Sequence, residues 1–250
     1  MIRAYAIGDV HGQLDALARA HARIAADRAD RPGAGWEDAP VVHLGDYVDR
    51  GPEAAEVVEY LRMGPARGAA PWIALRGNHD LMFRLFVEDP GLRDPGLRED
   101  LAWLDPPLGG RHTIESYGVP APLDRPVAEI WAEAQARVPE SHRAFVDGLP
   151  LLWRTEAAAF AHAGIRPGVP LVLQEPRDLM WIRRGFLEDR RDHGVLVVHG
   201  HTALEAPRHH GNRVNLDGGA GYGRPLVAAA IEGRDVFVLT DGGRIPLRPF

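Results

Sequence analysis

Short apolar runs alternate with segments of helical period over the first ninety or so residues. Arg3 to Gly8 has the apolar pattern of a strand. Leu14, Leu17, His21 and Ile24 then recur at helical spacing, which predicts a helix from Gln13 to about Arg28 with His21 at the edge of its apolar face rather than in a ligand position. Val41 to Gly45 reads as the second strand. Pro52 and Gly64 stand where a helix favours its first residue and its C-cap, bracketing a helix over Glu53–Met63. Trp72–Arg76 is the third predicted strand, followed by a helix from about Asn78 to Val87. Strands alternating with helices imply parallel pairings under a helical cover, with function at the carboxyl ends of the strands.

That rhythm stops between Asp89 and Pro150. Pro90, Pro95, Pro106, Pro107, Pro120, Pro122 and Pro126 interrupt the stretch, and helical patterns remain near Leu97–Leu104 and Val127–Gly148. We read 89–150 as an insertion beside the active site, within a single domain spanning residues 1–250. Its Gly109–Thr113 and Ser116–Gly118 stretches suit either a lip facing the substrate or a structural turn with His112 exposed. Strand patterns return at Leu151–Arg154, Ala157–His162 and Gly194–His199. They continue at Arg213–Leu216, Leu226–Glu232 and Asp235–Thr240, with turns at Glu232-Gly233-Arg234 and Asp241-Gly242. The close spacing of the late strands predicts a second sheet with antiparallel hairpins.

Composition narrows the chemistry. The chain has 250 residues, a length that an α/β fold uses as one domain, and 45% hydrophobic residues suffice for a sizeable core. Cysteine is absent, which excludes disulfides and thiolate catalysis. All 29 basic residues are Arg, so any cationic clamp on a phosphate must be a guanidinium, the side chain suited to bidentate grip on oxyanions. A net charge of −6 gives no global footprint for nucleic acid, and none is expected as a partner. Neither a signal-peptide core nor a run long enough to span a membrane is visible, so the expectation is a soluble cytoplasmic enzyme.

Five polar motifs sit at predicted strand ends: Gly8-Asp9-Val10-His11-Gly12, Gly45-Asp46-Tyr47-Val48-Asp49-Arg50-Gly51, Gly77-Asn78-His79-Asp80, His162-Ala163-Gly164 and His199-Gly200-His201-Thr202. Each offers Asp, His or Asn, the oxygen and nitrogen donors that suit Mn, Fe or Zn. Any one alone is compatible with a surface turn or a helix cap; all five in this order are not.

On these residues the chain resembles the phosphoprotein-phosphatase branch of the calcineurin-like metallophosphoesterases, from Ile2 to about Gly233. The Gly45–Gly51 motif with its Asp-Arg pair is the most discriminating part. The resemblance implies a four-layer α/β/β/α sandwich of two mixed sheets, with metals where the sheets meet. It also implies two divalent ions, Mn²⁺ first, with Fe or Zn as alternatives. Asp9 and His11 would complete one ion, Asn78, His162 and His201 the other, and Asp46 would bridge them. Asn78 would also meet the substrate. His79 would be the general acid that protonates the leaving oxygen, with Asp49 as its partner. Arg50 and an Arg after Trp181 would hold the phosphate, and Arg183 fits the family spacing better than Arg184. His199 would lie behind the ligands or orient a water, although its order with His201 could be reversed. Gly218, in Asn215–Gly219, departs from the family by replacing a hydroxyl residue. His43, His142, His193, His209 and His210 match no motif and read as core, strand or loop positions.

The activity so implied is metal-dependent phosphomonoester hydrolysis, by attack of a metal-bridging hydroxide on phosphoserine, phosphothreonine or small phosphoesters. A symmetrical dinucleoside tetraphosphate hydrolase shares most of the motifs and is the alternative enzyme. An inactive phosphoprotein-binding module ranks last, because no ligand or acid position is lost.

Overall fold

The computed structural model describes residues 3–250. Strand β1 (Arg3–Ile7) leads to helix α1 (Leu14–Ala29), β2 (Val41–His43) to α2 (Ala54–Met63), and β3 (Trp72–Ala74) to α3 (Asn78–Glu88). β1, β2 and β3 pair in parallel, with Tyr5 opposite Val41 and Val41 opposite Trp72. Gly64 ends α2 at a φ of 70°, a backbone that glycine adopts without penalty.

The insertion carries α4 (Gly110–Ser116), α5 (Val127–Arg137) and α6 (Glu140–Asp147). The helix expected near Leu97–Leu104 is absent. Instead, the Asp94 and Asp105 carboxylates accept the N–H groups of Gly96 and Ala102, turns that compete with helix formation. The expected single helix over Val127–Gly148 is split, because Val138 before Pro139 is extended.

Then follow β4 (Leu152–Arg154), β5 (Ala158–Ala161), α7 (Pro176–Trp181), β6 (Leu196–His199), β7 (Arg208–His209) and β8 (Arg213–Asn215). The chain ends with β9 (Ala228–Glu232), β10 (Asp235–Thr240) and β11 (Gly243–Pro246). Two mixed sheets result, ordered β11-β10-β9-β1-β2-β3 and β4-β5-β6-β8-β7. The expectation that the late hairpins belong to the second sheet is therefore wrong. β9 returns to pair antiparallel with β1, Tyr5 opposite Ala230, and carries β10 and β11 into the first sheet. Nearness in sequence suggested a local sheet, but a strand buried on both faces sits where both faces find cover.

Side-chain alternation builds the layers. Ala4, Ala6, Val42, Ala229 and Ile231 face Phe160, Leu196, Val198 and Val214 across the gap between the sheets. On the other face of the first sheet, Tyr5, Ile7 and Val41 pack under Leu17, Ile24, Val57 and Val58 of the helices. Ala161 and Val197 meet Leu179 and Phe186 outside the second sheet. The order of layers is helix, sheet, sheet, helix. β1, β2 and β3 are mutually parallel, as are β5, β6 and β8, and every predicted motif follows one of these strands.

Candidate active site

Backbone strain marks the site before any side chain is considered. Among the described residues five non-glycine residues have positive φ: His11, Asp46, Asp49, Arg50 and His201, between 49° and 72°. All five are predicted site residues. Such conformations cost of order 1–3 kcal/mol each and persist only where surrounding contacts over-determine them. Here Val10 and His11 donate their N–H groups to the Asp46 carbonyl at 3.1 and 2.8 Å. The Asp80 carboxylate accepts the N–H groups of Gly77, Asp46 and Tyr47 at 2.8–2.9 Å, tying the second motif to the third. Two glycines make the close approach possible, since a Cβ on Gly77 would strike the Asp46 carboxylate and one on Gly200 that of Asp9.

The motifs converge on Asp46. Its Oδ1 lies 3.4 Å from His162 Nε2, and its Oδ2 lies 3.5 Å from His11 Nε2. Asn78 Oδ1 and His201 Nδ1 stand 2.9 and 3.2 Å from that same His162 nitrogen. Donor atoms of His11, Asp46 and His79 form one group within 4.8 Å, and those of Asp46, His162 and His201 form a second, so Asp46 belongs to both. Hydrogen bonds behind the rings fix their tautomers. His162 Nδ1–H donates to the Leu44 carbonyl at 2.9 Å and His11 Nδ1–H to that of Val48 at 2.8 Å. Each therefore turns an unprotonated Nε2 inward.

Electrostatics point the same way. Burial pushes the carboxyls of Asp9 and Asp46 up, and Asp217 adds to the effect on Asp9. Burial lowers His162 to about 4 and holds His11 and His201 well below the usual imidazole range, so all three are neutral, the form that binds metals. Asp9 Oδ1 and His201 Nε2 have no hydrogen-bond partner among the described residues. Lone pairs crowded together with few donors among them suit divalent cations, and the donor set fits that cargo.

Beside this floor, His79 Nδ1 and Asp49 Oδ2 are 2.5 Å apart. The other ring nitrogen of His79 accepts from Arg50 at 3.1 Å. Arg50 also reaches His11 Nε2, and its guanidinium lies 4.8 Å from the ring centroid of Tyr222. Arg183 donates to the His201 carbonyl at 3.3 Å, whereas Arg184 lines the same cleft without such a bond among the described residues. The cleft encloses about 890 Å³, and Asp9, Asp46, Arg50, Asn78, His79, Arg183 and His201 line it. His11, Asp49 and His162 lie just behind that surface, joined to it by the contacts above. His199 is buried against Phe186 and lines a different cavity. His43 is packed on His21 at 3.0 Å in the helix-side core, and His112 is exposed.

Sequence reading passed over several neighbours of the site. Asp80 closes the Gly-Asn-His-Asp motif and Asp217 lies in Asn215–Gly219, so both were visible as letters without a role. Trp103 belongs to no motif, and Thr113, at the end of the Gly109–Thr113 stretch read as a lip or a turn, was given no role; both bond to Asp49, Thr113 from within helix α4. Arg177, Arg224 and Tyr222 also line the cleft.

The family described as calcineurin-like phosphoesterase matches residues 2–230. An asymmetrical bis(5'-nucleosyl)-tetraphosphatase PrpE of Anoxybacillus flavithermus is 24% identical over 252 residues, covering 89% of this chain and 87% of that protein. Its counterpart in Geobacillus thermodenitrificans is also 24% identical, with the same coverage. Among solved structures, a cold-active protein-tyrosine phosphatase of Shewanella sp. superposes with a TM-score of 0.62 at 18% identity, covering 99% of this chain and 81% of that one. A metallophosphoesterase from Sphaerobacter thermophilus gives 0.53 at 19%, covering 99% and 89%. With the five motifs at the ends of parallel strands and the family match over most of its length, the chain belongs to the calcineurin-like phosphoesterases and is a phosphoric ester hydrolase.

Proposed function

We propose that the chain is a metal-dependent phosphomonoesterase. Asp9, His11 and Asp46 would hold one divalent ion, and Asp46, Asn78, His162 and His201 a second, with one Asp46 oxygen turned to each. When bound, such ions would lower the pKa of a water and offset charge on the phosphoryl group. The protein's own groups supply the rest. Arg50 and Arg183 are placed to grip phosphoryl oxygens, and the planar guanidinium matches them as they gather charge. Asp49 orients His79, whose Nε2 faces the cleft and delivers a proton to the leaving oxygen.

The observation that carries this reading is the His79–Asp49 pair beside the convergent lone pairs around Asp46. An acid is needed where the leaving oxygen is an alkoxide, as from phosphoserine or phosphothreonine. It contributes little where the leaving group is itself a phosphate.

The rim supports a second reading, a dinucleoside polyphosphate hydrolase. Arg98 and Arg166 are tied to Asp100 and Asp178, but Arg50, Arg177, Arg183, Arg184 and Arg224 have no ion-pair partner among the described residues. Five guanidiniums without an ion-pair partner around one cleft suit a substrate with several phosphates, and the PrpE relatives carry such an activity in their names.

Manganese-loaded and chelated protein assayed on phosphoserine peptides, p-nitrophenyl phosphate and diadenosine tetraphosphate would decide. We expect activity to vanish with chelation and return with Mn²⁺; full activity without metal would sink both readings. A kcat/KM for diadenosine tetraphosphate at least about tenfold above that for the peptides would select the second.

A further inference from the structure

Asp49 is fully buried, and three donors from outside its own motif meet its carboxylate. Oδ2 takes the indole N–H of Trp103 at 2.8 Å together with the bond to His79. Oδ1 takes the hydroxyl of Thr113 at 2.6 Å. The same Thr113 oxygen accepts the Asp49 backbone N–H at 2.8 Å, which leaves its O–H free to donate to the carboxylate. An indole N–H is donor only. Burial pushes the Asp49 carboxyl up to about 7 against the opposing pull of the bonds from Thr113 and Trp103; donors converging on both oxygens are the contacts that favour the ionised form. With the carboxylate as acceptor, His79 Nδ1 must carry the hydrogen. Its Nε2 then faces the cleft beside Arg50, 3.1 Å away.

The two donors are themselves anchored. Trp103 is wedged against Phe83 and Phe86 of α3, whose first turn carries His79, with ring centroids 5.8 and 4.9 Å away. Thr113 lies in α4, and Ser116 of that helix accepts the Ala55 N–H of α2 at 3.0 Å. Both residues belong to 89–150. On the reading of His79 as the acid, we propose that Trp103 and Thr113 are positioning residues that hold the Asp49 carboxylate in the orientation that aims His79. The insertion would thereby complete the acid, in addition to walling the cleft.

The test uses full-length, manganese-loaded enzyme and compares O-phosphoserine, whose alkoxide needs a proton, with p-nitrophenyl phosphate, whose phenolate hardly does. Thr113→Val and Trp103→Phe should each lower kcat on phosphoserine by about tenfold or more, and on p-nitrophenyl phosphate by less than about threefold. KM and bound metal should not change, and Thr113→Ser should recover most of the loss. Trp103→Phe keeps a ring against Phe83 and Phe86, so it stands in if Thr113→Val does not fold. Equal losses on both substrates, or a Thr113→Ser variant as slow as Thr113→Val, would overturn the proposal. His79→Asn serves as reference. If it shows no split between the substrates, the acid reading itself fails; if it splits them and the two positioning variants do not, only this inference falls.

Discussion

Two buried carboxylate clusters of the molecule settle their charge in opposite ways. In the first, Asp27 of α1 receives Arg244 of β11 through two bonds of 2.6 Å, the Tyr5 hydroxyl of β1 at 2.7 Å and Arg31 at 3.3 Å. Burial pushes its carboxyl up, but the bonds from Arg244 and Tyr5 outweigh that and leave it below the ordinary 3.8. In the second, Asp9, Asp46 and Asp217 face one another among neutral imidazoles. Burial raises Asp9 and Asp46, repulsion from Asp217 and Asp46 adds to it at Asp9 and repulsion from Asp49 at Asp46, and atoms of Asp9 and His201 go unpartnered among the described residues. A buried charge needs compensation. The Asp27 cluster finds it within the chain and pins three elements together; the Asp46 cluster does not, which is why we assign its missing charge to metal.

The largest effect should come from removing charge where the two proposed ions meet. Asp46→Asn keeps an oxygen for the His79 backbone N–H, which Asp46 Oδ1 accepts at 3.0 Å, but weakens both ions. We expect metal content by elemental analysis to fall well below that of Asp9→Asn, and kcat to drop by more than about 10²-fold. The chelated Asp46→Asn protein should melt no lower than chelated wild type, because a poorly compensated charge has been removed. The same metal content in both variants would argue against a shared carboxylate. A clear loss of stability without metal would break the contrast with Asp27.

The Asp46 cluster was legible from sequence for a physical reason. Each motif is local, occupying a few residues at one strand's carboxyl end, and parallel strands bring such ends together without further instruction. Asp9, His11, Asp46, Asn78, His162 and His201 all converge as the motifs implied. Trp103 and Thr113 could not be read that way, since each acts alone across more than fifty residues from Asp49 and neither type is diagnostic. Arg244 was equally hidden, reaching Asp27 across 217 residues because β11 joins the first sheet. The misplacement of β9 and β10, the unpredicted strand β11 and the oversight of Arg244 share one cause: short-range pattern can specify a strand but not its neighbour.

Arg50 is the cation that the chain does provide on the active-site floor, and a second prediction weighs it against the rim. Arg50→Ala should lower kcat/KM by about 10²-fold, Arg183→Ala by about tenfold and Arg184→Ala by less than about threefold, with metal content unchanged. Binding of inorganic phosphate, measured by calorimetry, should weaken in the first two only. A crippling Arg184→Ala beside a silent Arg183→Ala would shift the clamp by one residue and leave its chemistry intact.

The smallest effect on catalysis, and a large one on stability, belongs to Asp27→Asn. The amide places an N–H₂ among Arg244, Arg31 and Tyr5, all donors, so Arg244 is left packed on Trp36 at 4.0 Å without its counter-charge. Breaking a buried pair from one side costs about 3 kcal/mol, or roughly 6–12 °C in Tm for a chain of this size. Activity at 25 °C and metal content should not change. The sign of the pH dependence follows from the lowered carboxyl: its stabilisation is fully present above the unfolded value near 3.8 and is lost as pH falls through the lower folded value. The Tm gap between wild type and variant should therefore hold steady from pH 7 to about pH 5 and narrow below pH 4. A gap that widens in acid would mean that Asp27 is not held as a carboxylate, and the two clusters would no longer differ in the way their geometry implies.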